Sequence, residues 1–107
     1  MAKLTPELIE IVAARFKTLG EPARLLILNA LREGRLTVSE VMAKTGLSQP
    51  NASKHLQLLH SVGFVARSKE GQSVYYSLAN RDVFKLCDVV CGRLERETDA
   101  RRKVVSP

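Results

Sequence analysis

Two cysteines in this sequence have the residue type and the spacing to do chemistry. Cys87 and Cys91 are four positions apart, so on a helix both sulfurs would lie on one face, one turn apart. Thiolates are soft ligands for Zn(II), Cu(I), Cd(II) or trivalent arsenic, and they are also the reactive groups of redox sensors. Two thiols cannot complete a tetrahedral or trigonal site, so a partner helix or a small-molecule thiol would have to contribute. The alternative is core packing, because free cysteine packs well as a small apolar residue.

A second group of side chains is suited to bind rather than to react. The predicted helix that follows Ser48 begins with polar side chains and has no carboxylate among them: Gln49, Asn51, Ser53, Lys54 and Gln57. Such a face fits an acidic partner rich in hydrogen-bonding groups. A helix that enters the DNA major groove by its N-terminal end meets base edges with amides and lysine. We therefore predict that Gln49, Ser53 and Lys54 contact base edges, and that Asn51 is a cap or a phosphate contact.

The composition also favours a polyanionic partner. The chain has 107 residues, a formal net charge of +6 and a pI near 9.8. Aromatic residues make up only 5%, without tryptophan, which argues against a stacking platform for single strands. No apolar run approaches the roughly 18 residues that span a bilayer, and the N-terminus does not resemble a signal peptide. We expect one domain over residues 1–107, cytoplasmic and without a disulfide framework.

The elements that must position these side chains can be predicted from caps and apolar spacing. A first helix is expected from about Pro6 to Thr18, and a second through ARLLILNALRE, ending at Gly34. Thr37 and Glu40 form a capping box that opens a short helix ending at Gly46, and Ser48 caps the next helix. Two short helices in this order predict a helix-turn-helix over about 37–63. His55 borders the apolar face and is expected to be packed and hydrogen-bonded.

A hairpin and a last helix follow the helix-turn-helix. Two strands, Val65–Ser68 and Ser73–Leu78, predict a wing over about 64–79, so the fold class is mainly α with a small β-hairpin wing, a winged helix-turn-helix. The wing side chains Arg67, Lys69 and Gln72 would contact phosphates or the minor groove. For Lys69 a solvated turn is also open, because Glu70 lies beside it. The last helix, about 82–98, has a wide apolar face that predicts dimerisation through the first and last helices.

Three segments in this order are similar to the ArsR/SmtB family of winged-helix repressors. They are FKTLGEPARLLILNAL, TVSEVMAKTGLSQPNASKHLQLLHSVGFV and SKEGQSVYYSL, and the resemblance covers roughly residues 12–94. It implies a homodimer that represses an operon by binding an imperfect palindrome in double-stranded DNA and that is released by an inducer. In this family the residues that match Gln49, Ser53 and Lys54 commonly face DNA.

The inducer sites best known in this family cannot be carried over to this chain. The helix before the recognition helix reads SEVMAKTG, without cysteine, and the last helix has Asp82 and Asp88 but no histidine. The second helix also lacks the cysteine of the sulfide sensors. Cys87 and Cys91 therefore remain as the predicted inducer site and the predicted metal ligands, for a soft metal, a metalloid, reactive sulfur or an oxidant. No other cofactor is predicted.

Three other functions are alternatives to a thiol-controlled repressor. One is a winged-helix DNA-binding regulator without a thiol inducer. Another is a winged helix that binds proteins, which is less attractive because such surfaces usually present apolar anchors. An enzyme is not expected, because the sequence has no evident nucleophile–base pair and no phosphate-binding glycine loop.

Overall fold

The computed structural model describes the backbone of residues 3–105 and the side chains of residues 3–99. Within that range helices precede and follow a single β-hairpin. The elements are α1 (Pro6–Leu19), α2 (Pro22–Ala30), a short 3₁₀ helix (Leu31–Glu33), α3 (Val38–Thr45), α4 (Gln49–Val62), β1 (Val65–Glu70), β2 (Ser73–Leu78) and α5 (Asp82–Val105). This order confirms the predicted winged helix-turn-helix, in which α3 and α4 form the helix-turn-helix and the hairpin forms the wing.

Local hydrogen bonds define the two helices of the helix-turn-helix. The Thr37 hydroxyl accepts the Glu40 N–H at 3.2 Å, and a Glu40 carboxylate oxygen accepts the Thr37 N–H at 2.9 Å, which completes the predicted capping box. The Ser48 hydroxyl accepts the Asn51 N–H at 3.4 Å and caps α4, also as predicted. Both helices end at glycines in the left-handed region, Gly46 (φ 77°) and Gly63 (φ 97°).

The core lies between α2, α3, α4 and the wing. On α4 one stripe of side chains, Ala52, Leu56 and Leu59, is fully buried, as the helical spacing predicts. This stripe packs with side chains from the other elements: Ile27, Leu28, Leu31, Leu36, Val41, Val65, Tyr76, Val83 and Phe84. Because the buried stripe occupies one side of α4, its polar side chains must face outward.

The wing is longer and its turn is tighter than the sequence suggests. Strand β1 continues to Glu70, so only Gly71 and Gln72 connect the strands, and the predicted four-residue loop is wrong. Gly71 has φ 62°, which fits the first position of a two-residue hairpin turn. Leu36 pairs with the outer edge of β2, where it exchanges two backbone hydrogen bonds of 2.9 and 2.8 Å with Tyr76. These bonds attach the wing to the body of the domain.

Two helices end differently from the expectation. The α-helical part of α2 stops at Ala30, and the chain tightens into the 3₁₀ turn before Gly34, as commonly happens at helix ends. Helix α5 extends past residue 98 to Val105, because residues 93–105 include many strong helix formers and no proline or glycine. The backbone of the basic segment 101–103 belongs to α5, and its side chains lie outside the described part of the chain.

Among the side chains of α5 that the structure describes, those at the beginning of the helix pack against the core. Val83 and Phe84 are buried, Cys87 is half-buried, and the Arg32 guanidinium lies 3.9 Å from the centre of the Phe84 ring. The radius of gyration is 17.0 Å, compared with roughly 13 Å for a compact domain of this length. The chain is therefore elongated. Among residues 3–105, no helix is both long and apolar enough to cross a membrane.

The conformations of two glycines lead to opposite expectations for alanine substitutions. Gly63→Ala would place a Cβ in the left-handed region and should lower the free energy of unfolding by about 1–2 kcal/mol. Gly92 lies inside α5, where a new Cβ would meet the Arg96 side chain at 3.6 Å. Gly92→Ala should therefore raise the free energy of unfolding by about 0.5–1 kcal/mol. Urea unfolding at one protein concentration measures both changes. Equal effects of the two substitutions would contradict this assignment.

Candidate functional site

The outward side of α4 carries the side chains predicted to bind. Gln49, Asn51, Lys54 and Gln57 are exposed, whereas Ser53 is half-buried because it flanks the buried stripe. The structure therefore places all five at or near one polar surface.

The beginning of α4 is open to an incoming ligand. Pro50 lies in the first turn, where its missing N–H leaves no hydrogen bond unmade. Ser48 supplies the cap, so the side chain of Asn51 is not needed for that role. None of the residues in Gln49–Val62 is acidic, so α4 itself contributes no side-chain negative charge to repel a phosphate.

Arg24 of α2, which the sequence pattern did not single out, ties α4 to α1 and α2. The Arg24 Nε donates to His55 Nδ1 at 3.3 Å, and the Arg24 Nη1 donates to the Thr18 carbonyl at 3.0 Å. One guanidinium thus joins the end of α1 to the middle of α4. His55 is half-buried and hydrogen-bonded, which confirms its predicted packing role.

The register of the wing separates its charged side chains onto two faces. Arg67 pairs with Tyr76 and Lys69 pairs with Val74, and paired residues of an antiparallel ladder point to the same face. Tyr76 is buried in the core, so Arg67 and Lys69 emerge on the side of the hairpin that faces the helices. Both are exposed, as is Gln72 in the turn.

Glu70 projects from the opposite face of the hairpin and has its own partner. The Arg35 Nη1 donates to Glu70 Oε1 at 2.6 Å, and the Arg35 guanidinium lies 4.1 Å from the centre of the Tyr75 ring. Tyr75 is consequently half-buried. Although Glu70 follows Lys69 in sequence, it pairs with Arg35 and not with Lys69.

The helix-turn-helix and the wing together are weakly basic. Residues 36–77 hold four basic residues, Lys44, Lys54, Arg67 and Lys69, and two acidic ones. Both acids are hydrogen-bonded: the Thr37 N–H lowers the pKa of the Glu40 carboxyl, and the Arg35 guanidinium lowers that of Glu70. They are therefore ionised at neutral pH, each beside its own donor.

The cysteines lie on α5, outside the helix-turn-helix and the wing. Cys87 is half-buried, Cys91 is exposed, and both are free thiols. A groove of about 340 Å³ runs past them and is otherwise lined by apolar side chains and one glycine: Phe16, Leu19, Gly20, Leu25, Leu86 and Val90. Among the described side chains, no group of three or more His, Cys, Asp or Glu residues could hold a metal ion. Within this part of the chain, the two thiols have no third ligand of these types beside them.

Comparison with known proteins places this geometry in a family. The family described as bacterial regulatory protein, arsR family, matches residues 21–67. The HTH-type transcriptional regulator NmtR of Mycobacterium tuberculosis is 36% identical over 77 residues, which are 72% of this chain and 64% of that protein. The match thus leaves about a third of NmtR uncovered.

Two solved structures share the fold over nearly their whole length. The crystal structure of M. tuberculosis Rv0081 has 35% identity and a TM-score of 0.78, covering 92% of this chain and 98% of that one. The homodimeric winged helix-turn-helix domain of Mb0332 from Mycobacterium bovis has 32% identity and a TM-score of 0.76. It covers 94% of this chain and 95% of that one. The chain therefore belongs to the ArsR family of bacterial regulatory proteins, which are DNA-binding transcriptional repressors and not enzymes.

Proposed function

We propose that this protein is a homodimeric repressor that binds an imperfect palindrome in double-stranded DNA. The observation that carries the proposal is the outward face of α4, which is polar and contains no acid. The exposed cations Arg67 and Lys69, which share one face of the wing, add to it. A surface of this kind suits the major groove, where every base pair presents hydrogen-bonding groups between two rows of phosphates.

In this proposal each predicted side chain has a distinct role. Gln49, Ser53 and Lys54 contact base edges from the first turns of α4. Asn51 and Gln57 contact the flanking phosphates, for which both are exposed. From the wing, Arg67, Lys69 and Gln72 contact the backbone or enter the minor groove.

A second copy of the chain completes the DNA-binding unit. Large apolar side chains of α1 and α5 are at least 38% exposed: Ile9, Ile11, Phe16, Leu86, Val89, Val90 and Leu94. They line the projecting part of α5 and the neighbouring part of α1, where the single chain offers them no cover. Packing α1 and α5 of two copies together buries them, as the homodimeric relative from M. bovis supports. The two recognition helices then address half-sites about 34–36 Å apart.

The inducer acts at Cys87 and Cys91. The thiols are free and lie on α5, one of the two proposed dimer helices; Cys87 is half-buried and Cys91 is exposed. Two copies together supply four sulfurs for a soft metal or trivalent arsenic, and each pair is also open to reactive sulfur or an oxidant. Reaction or ligation there favours a dimer geometry in which the recognition helices no longer fit successive major grooves. Free thiols of this kind suit a reducing, cytoplasmic location.

Substitutions on the two DNA-binding elements should have different signatures. Ser53→Ala and Lys54→Ala should each weaken discrimination between operator and unrelated DNA by about 1–3 kcal/mol per lost base contact. Arg67→Ala should weaken binding to all sequences, and the slope of log K against log salt should become shallower by about 1.8 for a dimer that loses two phosphate contacts. Fluorescence anisotropy over a salt series measures both. Lys85→Ala, on the exposed side of α5, is the control, and an equal loss with it would contradict the assignment.

A charge in the proposed dimer surface should separate the two copies. Val90 is 54% exposed in the single chain, and Val90→Asp would bury an unpaired carboxylate between α5 helices. We expect dimer affinity to fall about a hundredfold or more, because such a charge costs several kcal/mol. Sedimentation velocity gives the oligomeric state, and circular dichroism checks the fold. Lys85→Asp introduces the same side chain outside the apolar face and should leave the dimer intact; a dimeric Val90→Asp protein would contradict this interface.

The thiol site is tested by release from DNA. Reduced protein on its own promoter DNA should be released by one of four treatments: arsenite, cadmium or zinc, hydrogen peroxide, or an organic persulfide. The Cys87→Ser/Cys91→Ser protein should bind DNA as tightly as the wild type but should not be released. Fluorescence anisotropy follows each titration. If no agent releases the wild type, or if the double variant is released equally, the thiols are packing residues and the regulator has no inducer site there.

A further inference from the structure

The wing contains a carboxylate, whose negative charge should oppose the binding of an anion to the hairpin. Glu70 is the one carboxylate of the hairpin, and it lies at the end of β1, next to the turn. An unpaired carboxylate at this position would add a negative charge beside Lys69, even on the opposite face, and would weaken the attraction of the wing for phosphates.

The contacts of Arg35 remove this conflict. Its guanidinium donates to Glu70 at 2.6 Å and stacks on the Tyr75 ring at 4.1 Å, so two different side chains on the outer face of the wing hold it. The backbone next to Arg35 is also fixed, because Leu36 exchanges two hydrogen bonds with Tyr76. Arg35 therefore reaches the wing from a rigid base.

Strand register explains why Arg35, and not a nearer cation, pairs with Glu70. Neighbouring side chains on a strand point to opposite faces, so Lys69 cannot follow Glu70 to the outer face. Arg67 lies two positions before Lys69 and shares its inner face. Both cations of β1 consequently keep their charges on the side of the domain where α4 lies.

We infer that Arg35 is a positioning residue for DNA binding: on the outer face of the wing it holds the Glu70 carboxylate in an ion pair and offsets its charge, so that the attraction of Arg67 and Lys69 on the inner face is not weakened. The inference rests on the proposed function, because it assigns the inner face of the wing to DNA. Arg35 itself touches no DNA in this arrangement, and its effect on affinity is transmitted entirely through Glu70.

Four proteins test the inference: the wild type, Arg35→Gln, Glu70→Gln and the double variant. Arg35→Gln should weaken operator binding about tenfold, because it frees a carboxylate near the phosphates. Glu70→Gln should bind at least as tightly as the wild type. The double variant should return to within about threefold of the wild type, with an unchanged salt slope, because no phosphate contact has been lost.

Two exposed residues of α5 provide matched controls for net charge. Lys85→Gln repeats the charge change of Arg35→Gln, and Asp82→Asn repeats that of Glu70→Gln. Both residues lie outside the wing, where Lys85 Nζ and Asp82 Oδ1 form an ion pair at 3.7 Å. The inference is overturned if the double variant binds as weakly as Arg35→Gln. That result, with a shallower salt slope, would make Arg35 a direct phosphate contact. An effect of Arg35→Gln no larger than that of Lys85→Gln also overturns it.

A readout without DNA separates this inference from the proposed function. The pKa of the Glu70 carboxyl is lowered chiefly by its hydrogen bond with Arg35, so in Arg35→Gln it should rise toward its ordinary value. Carbon-13 NMR titration of the glutamate carboxyls measures this change. If the titration behaves as expected but even the wild type fails to bind operator DNA, the proposed function fails while the contact stands. If the Glu70 titration is the same in both proteins, Arg35 does not hold the carboxylate.

Discussion

The burial of one stripe on α4 is the constraint on which the rest of the structure depends. Ala52, Leu56 and Leu59 are fully enclosed by the core, and they fix the rotation of the helix about its axis. A shift of one residue would turn α4 by about 100° and carry its polar side chains into the domain. The core thus determines which side chains reach outward, and the caps at each end determine where the helix begins and stops.

The parts that sequence predicted well depend on residues close together in the chain. The Ser48 cap, the Thr37–Glu40 capping box and the glycines at the helix ends act within about one turn, so their signals can be read directly from residue order. The exposure of the polar side of α4 follows from the same periodicity. These local signals were sufficient for the helix-turn-helix and for the existence of the wing.

The features that sequence did not reveal involve residues far apart or signals that are absent. Arg24 reaches His55 across 31 positions and Arg35 reaches Glu70 across 35, and both contacts exist only once the core has brought the elements together. The length of the wing depended on whether Gly71 makes a tight turn, which the residue order left open. The end of α5 could not be placed because no glycine or proline lies between Gly92 and Pro107.

The two carboxylates of the DNA-binding region depend on their partners over very different distances in the chain. Glu40 and Thr37 lie within one four-residue motif, so recombination rarely separates them. Glu70 depends instead on an arginine encoded 35 codons earlier. Among related regulators we therefore expect correlated change at positions 35 and 70. A lineage that loses the arginine should recover DNA affinity by losing the acid too. The intermediate that keeps the acid without the arginine should bind DNA most weakly.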